Sequence, residues 1–177
     1  MNEIEERLVN FRCPRWNELP DVDLYMDQLV SYAERHLEPL NVGQDGRLIT
    51  SSMINNYVKM KLIPAPVKKK YGIRQVSRLL VIGSLKRDFS ISELQDMMEM
   101  VLSRFQNNIA YDLFCEEMEK NIRHVFLDET LPPVGSTQEE AIIRAVMSAF
   151  ANKLYAHVII QTSVSTLDRN HIETQDK

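Results

Sequence analysis

Residues Arg47–Arg87 read RLITSSMINNYVKMKLIPAPVKKKYGIRQVSRLLVIGSLKR. Ten of the chain's 21 basic residues lie here (Arg47, Lys59, Lys61, Lys68, Lys69, Lys70, Arg74, Arg78, Lys86, Arg87), and none of its 25 acidic ones. Positive charge gathered on one segment of a chain with net charge −4 is the footprint of a polyanionic partner. Thr50, Ser51 and Ser52 supply an N-cap before the apolar run Met53, Ile54, Tyr57, Val58, which predicts a short amphipathic helix. At roughly 100° per residue, Ser51, Ser52, Asn55, Asn56 and Lys59 share an arc of about 140° opposite the apolar side. That face carries no acid and no large apolar group. Asn can bond an adenine edge through two hydrogen bonds, and Ser and Lys can bond base edges or phosphates.

Pro64 and Pro66 end the helix, because each fixes φ and biases the preceding residue to extended backbone. Lys68–Lys70 then make a short basic loop ending at Tyr71. Gly72 opens a second helix to about Arg87, with Ile73, Val76, Leu79, Leu80 and Gly83 inward and Arg74 and Arg78 one turn apart outward. Ser90-Ile91-Ser92-Glu93 is a capping box that starts a third helix. On this reading Lys68, Lys69, Lys70, Tyr71, Arg74 and Arg78 hold phosphates.

The run TSSMINNYVKMKLIPAP, continued by KKKYGIRQVSRLLVIGSLKRDFSISELQDMM, resembles the DNA-binding domain of MerR-type regulators. The resemblance implies a winged helix-turn-helix in which the residues quoted above contact DNA. Asn55-Asn56-Tyr57 stands where that family usually carries Arg-Tyr-Tyr, Lys68–Lys70 replaces a longer wing, and Asp88 replaces a Gly before Phe89. A second resemblance covers nearly the whole chain. PRWNELPDVDLYMDQLV, ITSSMINNYVK and IAYDLFCEEME are similar to a bacterial domain-of-unknown-function family numbered 1836, which adds fold but little function.

The 177 residues suit one domain or two small ones. The acidic start Met1–Glu6 is no secretory signal, and no stretch of 18 apolar residues free of charge is present, so a cytoplasmic protein is expected. Cys13 and Cys115 read as free thiols in a reducing compartment. The histidines His36, His124, His157 and His171 lack metal-ligand spacing, and no nucleophile–base pair or phosphate loop is visible. No catalytic residue, metal or cofactor is expected.

Pro20, Asp21 and Asp23 read as a helix start, with the helix running to about Leu37 and Val22, Met26, Leu29, Val30, Ala33 and Leu37 inside. Trp16 is expected to cover its end. Further helices are expected over Ile91–Phe105, Ile109–Leu127 and about Gln138–Gln161. In the penultimate helix Ile109, Leu113, Phe114, Met118, Ile122, Val125 and Phe126 face inward, and Glu116–Lys120 and Glu119–Arg123 pair on its surface. The last helix is apolar nearly all round, apart from a stripe of Arg144, Ser148, Asn152 and Tyr155, which points to a subunit interface.

The expectation is an all-α protein with an N-terminal arm over 1–19, a MerR-like winged helix-turn-helix module over 20–98, a C-terminal helical dimerisation or effector module over 99–165 and a disordered tail over 166–177. Its function is expected to be that of a DNA-binding transcriptional regulator, a homodimer on double-stranded DNA. The alternatives are a helical protein-interaction adaptor that keeps the fold without DNA binding, and a sensor whose C-terminal helices enclose a small-molecule effector.

Overall fold

The computed structural model describes residues 1–43 and 46–175, with side chains described as far as residue 164. Its described residues form seven α-helices: α1 (Glu3–Val9), α2 (Met26–Leu37), α3 (Ser51–Lys59), α4 (Ile73–Leu85), α5 (Ile91–Arg104), α6 (Asn107–Leu127) and α7 (Gln138–Gln175). The protein is all-α; strand-like pairing among the described residues is limited to two isolated bridges. Helix α4 is central. Nine of its thirteen residues are buried, and they run round the helix rather than along one stripe. Its buried hydroxyls are satisfied locally: Ser77 Oγ donates to the Arg74 carbonyl at 3.1 Å and Ser84 Oγ to that of Leu80 at 2.9 Å. Gly83 permits close approach of α2, since a Cβ there would lie 2.4 Å from Leu37 Cδ1 and 3.1 Å from Ile49 Cδ1. Each fully buried Leu or Ile around it contributes about 1.5–3 kcal/mol relative to exposure.

The N-terminal third departs from its sequence reading. The helix expected from Pro20 begins only at Met26, with Tyr25 as N-cap and Gln28 Oε1 accepting from the Tyr25 amide at 2.9 Å. Leu24, just before it, is held out of the helix by an antiparallel bridge with Tyr71. Val22, expected inside, is 64% exposed. The segment expected as an arm carries α1. Asn2 and Glu5 form a capping box for α1, and Leu8 is fully buried. Arg15 then donates two 2.7 Å hydrogen bonds to the Glu119 carboxylate, and the Trp16 amide donates to Asp112 at 2.7 Å. Trp16 packs edge-on against Tyr111 of α6. Cys13 and Cys115 are both free and buried; a hydrogen bond between the thiols and their burial push the Cys13 thiol well up.

Helices α6 and α7 run parallel. Glu117 pairs with Arg144, Asn121 Oδ1 accepts from Ser148 Oγ at 2.6 Å, and Phe126 meets Tyr155 edge-on, so both chains advance together. The connection through Pro132-Pro133 must therefore run back along the pair, and Arg144 Nη1 ties it down at the Pro132 carbonyl, 3.0 Å away. Arg144, Ser148 and Tyr155 of the polar stripe of α7 thus find partners on α6 within one chain, while Asn152 donates to the Ser148 carbonyl of its own helix. α7 buries a single stripe of Ile143, Met147, Phe150, Ala151, Leu154 and Val158, so its all-round apolar character does not by itself require a second subunit.

Other expected details shift. Ile109 is 50% exposed, whereas Ala110, Tyr111, Glu117 and Asn121 are buried. The Glu116–Lys120 pair is present at 3.4 Å, but Glu119 pairs with Arg15 and Arg123 with Glu129. α7 continues through 166–175, where a disordered tail was expected; residues 176–177 lie outside the described residues. Buried residues from Leu8 to Val158 belong to one cluster, so the expected modules share a core.

Burial raises the Glu117 carboxyl, but the hydrogen bond and charge of Arg144, with Lys120, outweigh it and hold the group below the usual carboxylate range. Glu117 therefore contributes stability that is present above the unfolded-state value of about 4.3 and lost as pH falls through the lower folded value. Denaturant titrations below about pH 4 should show this loss in the parent and a smaller one in Glu117→Gln. At neutral pH, Arg144→Ala should destabilise toward the low end of about 3–5 kcal/mol, since Lys120 remains beside the stranded carboxylate.

Candidate nucleic-acid interface

Thr50 begins α3, its hydroxyl accepting from the Met53 amide at 3.2 Å. Ile54 and Tyr57 are buried, with Met53 and Val58 partly so, and this fixes the rotation of the helix. Ser51, Ser52, Asn55, Asn56 and Lys59 all face outward and are exposed, as the spacing predicts. Met60, grouped with the apolar side in the sequence, is 40% exposed at the C-cap, where its sulfur lies 3.5 Å from Asn56 Nδ2.

The helix ends in a Schellman motif. The Leu62 amide donates to the Tyr57 carbonyl at 2.9 Å, and the Lys61 amide to that of Val58 at 3.0 Å. Lys61 holds the left-handed position at φ 61°, where Gly or Asn is usual. Leu62 and Tyr57, both buried, make the accompanying apolar contact positions.

The basic loop is a tight hairpin. Val67 and Lys70 exchange amide–carbonyl bonds of 3.0 and 2.9 Å around Lys68 (φ 50°) and Lys69 (φ 65°), the pattern of a type I′ turn. Asn-Gly normally fills those positions, and a non-glycine residue there costs about 1 kcal/mol or more. The next pair closes the structure onto the N-terminal segment, Leu24 and Tyr71 exchanging bonds of 2.9 and 2.8 Å. Lys70 Nζ lies 4.9 Å from the centre of the Tyr25 ring. Gln75 completes the joint. Its Oε1 accepts from the Gly72 amide at 3.1 Å and its Nε2 donates to the Ala65 carbonyl at 3.3 Å.

Two of the expected phosphate contacts are corrected. Tyr71 is 3% exposed, burial raising its hydroxyl pKa, and it serves as the hairpin's anchor. Arg78 turns inward, Nη1 donating to the Leu62 carbonyl at 3.2 Å. Lys86 and Arg87 are also drawn in, toward Met53 Sδ at 3.3 Å and Asn41 Oδ1 at 2.7 Å. Asp88, at the position of the family's glycine, pairs with Lys153 of α7 at 2.9 Å. Lys59, Lys68, Lys69 and Arg74 stay exposed, as does Lys61, which the sequence reading had not singled out. Neither these five nor Lys70 makes an ion pair among the described residues. The left-handed lysines had no sequence signal, because neither Lys61 nor Lys68-Lys69 looks like a turn.

These features define a single-core, all-helical protein presenting an unpaired cationic helix and hairpin. Residues 14–119, more than half of the chain, match the family described as a domain of unknown function (DUF1836), and the chain belongs to that family. No curated protein and no solved structure matches it. Among the described residues there is no metal-binding grouping of His, Cys, Asp and Glu, and no helix is long and apolar enough to cross a membrane.

The double substitution Lys68→Asn with Lys69→Gly keeps the turn and relieves both left-handed side chains. It should raise stability by about 1 kcal/mol or more, read as a higher midpoint in denaturant unfolding.

Proposed function

We propose that the protein is a DNA-binding transcriptional regulator of the cytoplasm, with a MerR-like helix-turn-helix made by α2, α3, the lysine hairpin and α4. The observation that carries this reading is the face of α3. Five outward residues offer hydrogen bonds and one charge, beside cations that have no carboxylate to neutralise them. Ser51, Ser52, Asn55, Asn56 and Lys59 enter the major groove, and Lys68, Lys69, Lys70 and Arg74 hold phosphates. Positive side chains kept unpaired at strained backbone positions are a cost to folding that a phosphate backbone can repay. The protein acts as a homodimer on double-stranded DNA. In support, Ile159, Ile160 and Val164 are exposed on the far part of α7. The adaptor reading draws on the Asn55-Asn56 pair standing where the MerR pattern carries Arg-Tyr.

Selection of duplexes from random DNA, followed by titration between about 50 and 200 mM salt, tests the proposal. Lys68→Asn with Lys69→Gly should weaken binding to every sequence and flatten the logarithmic salt slope by roughly 0.9 per lost phosphate contact. Asn55→Ala with Asn56→Ala should leave that slope nearly unchanged and alter which sequences are selected. Binding should saturate at two chains per duplex. Capture of a protein partner, with no DNA held at the lowest salt, would establish the adaptor instead.

A further inference from the structure

Cys13 and Cys115 stand about 100 residues apart in the chain and meet in the core, 1% and 0% exposed. Cys13 sits in the non-helical run between α1 and Trp16, and Cys115 sits on α6. The residues around them build the contact. The Cys13 amide donates to Glu119 Oε1 at 2.9 Å, and Glu119 lies one turn beyond Cys115 on the same face of α6. Arg15 grips that carboxylate through both of its terminal nitrogens and donates to the Cys13 carbonyl at 3.0 Å. The Cys115 thiol points at the Pro14 carbonyl, 3.9 Å away, which leaves its sulfur to accept from the Cys13 thiol hydrogen-bonded to it. A small apolar side chain would fill either position as well. Two sulfurs in contact add a property that alanine lacks: loss of their two hydrogens joins them.

We propose that Cys13 and Cys115 form a reversible disulfide, a redox-sensitive clasp that fastens the N-terminal segment to α6. The oxidant is a low-molecular-weight disulfide such as oxidised glutathione. With its thiol kept protonated by burial, Cys13 is inert while the segment is seated. The segment has no helical hydrogen bonds of its own here, so it can lift while α6 stays folded, and Cys13 leaves the core with it. Cys13 then gives its proton to solvent and attacks one sulfur of the small disulfide. That S–S bond breaks, and the departing thiolate takes up a proton. When the segment reseats, Cys115 gives up its proton and attacks the Cys13 sulfur of the mixed disulfide, expelling the second small thiol. Two protein thiols are oxidised to one disulfide as one small disulfide is reduced to two thiols, and an excess of reduced thiol runs the exchange backwards. Closing a loop of about 100 residues restricts the unfolded chain and holds the segment down. The same segment continues to Leu24, whose bonds to Tyr71 anchor the lysine hairpin. The clasp itself depends on no DNA contact.

The test equilibrates the full-length chain with mixtures of reduced and oxidised glutathione, in native buffer and in concentrated urea, and reads acid-quenched samples by intact mass and peptide mapping. In native buffer the product should be two hydrogens lighter, linked from Cys13 to Cys115, and restored by dithiothreitol. At a given glutathione mixture the ratio of linked to reduced chain should be about tenfold or more greater in native buffer than in urea, because only the fold holds the two sulfurs together. Trypsin cleavage after Arg12 and Arg15, followed on reducing gels, should slow severalfold on oxidation of the parent and not of Cys13→Ala or Cys115→Ala. The parent chain alone decides the mass and ratio readings, whether or not either alanine variant folds. The proposal is overturned by a glutathione adduct as the end product, by a link between two chains, by a ratio no greater in native buffer than in urea, or by cleavage that oxidation leaves unchanged.

Discussion

Burial of α4 on nearly every side is the constraint from which the rest of the structure follows. A helix with Gln75, Ser77 and Ser84 buried beside its leucines and isoleucines has no solvent stripe to spare. Its polar groups must be satisfied locally, and its neighbours must close in from several directions. α2 does so at Gly83, α6 packs along another side, and the loop after α3 is held by Gln75 and Arg78. The exposed face of α3 is consequently set by its buried side. Its orientation is set by Ile54 and Tyr57, and its exit by a Schellman motif bound to α4.

The second organising feature is polar. α6 carries the buried Glu117 and Asn121, and α7 answers with Arg144 and Ser148 at the same spacing. A misregistered packing would strand a carboxylate in the core, so the ladder sets the register and direction of the two helices as hydrophobic contact alone could not. Arg15 on Glu119 and the Trp16 amide on Asp112 then fasten the N-terminal segment to the same helix. Asp88, Asp112, Glu117 and Glu119, which look like surface decoration in the sequence, are thus joints of the fold.

Charge segregation follows from the same economy. Glu117, Glu119 and Asp88 are engaged with Arg and Lys elsewhere, and the cations of α3, the hairpin and the start of α4 have no carboxylate partner among the described residues. Three of those lysines occupy left-handed backbone positions that glycine or asparagine would adopt at lower cost. Stability alone would favour replacing them, and the charged side chains are kept where a polyanion could reach them.

The sequence by itself determined the all-helical class, the placement of α3, α4 and α5 through their caps and periodicity, the outward face Ser51–Lys59, and the concentration of positive charge between Arg47 and Arg87. These are local properties: capping, the 3.6-residue period and formal charge act within a few residues of one another. Tertiary structure decided what depends on partners distant in the chain. Tyr71 looked like a phosphate ligand until its pairing with Leu24 buried it, and Arg78 looked outward until the exit of α3 drew it in. The polar stripe of α7 had no partner in the sequence pattern until α6 supplied Glu117 and Asn121. Helical periodicity tells which side chains share a face, but only the packed neighbours decide which face meets water.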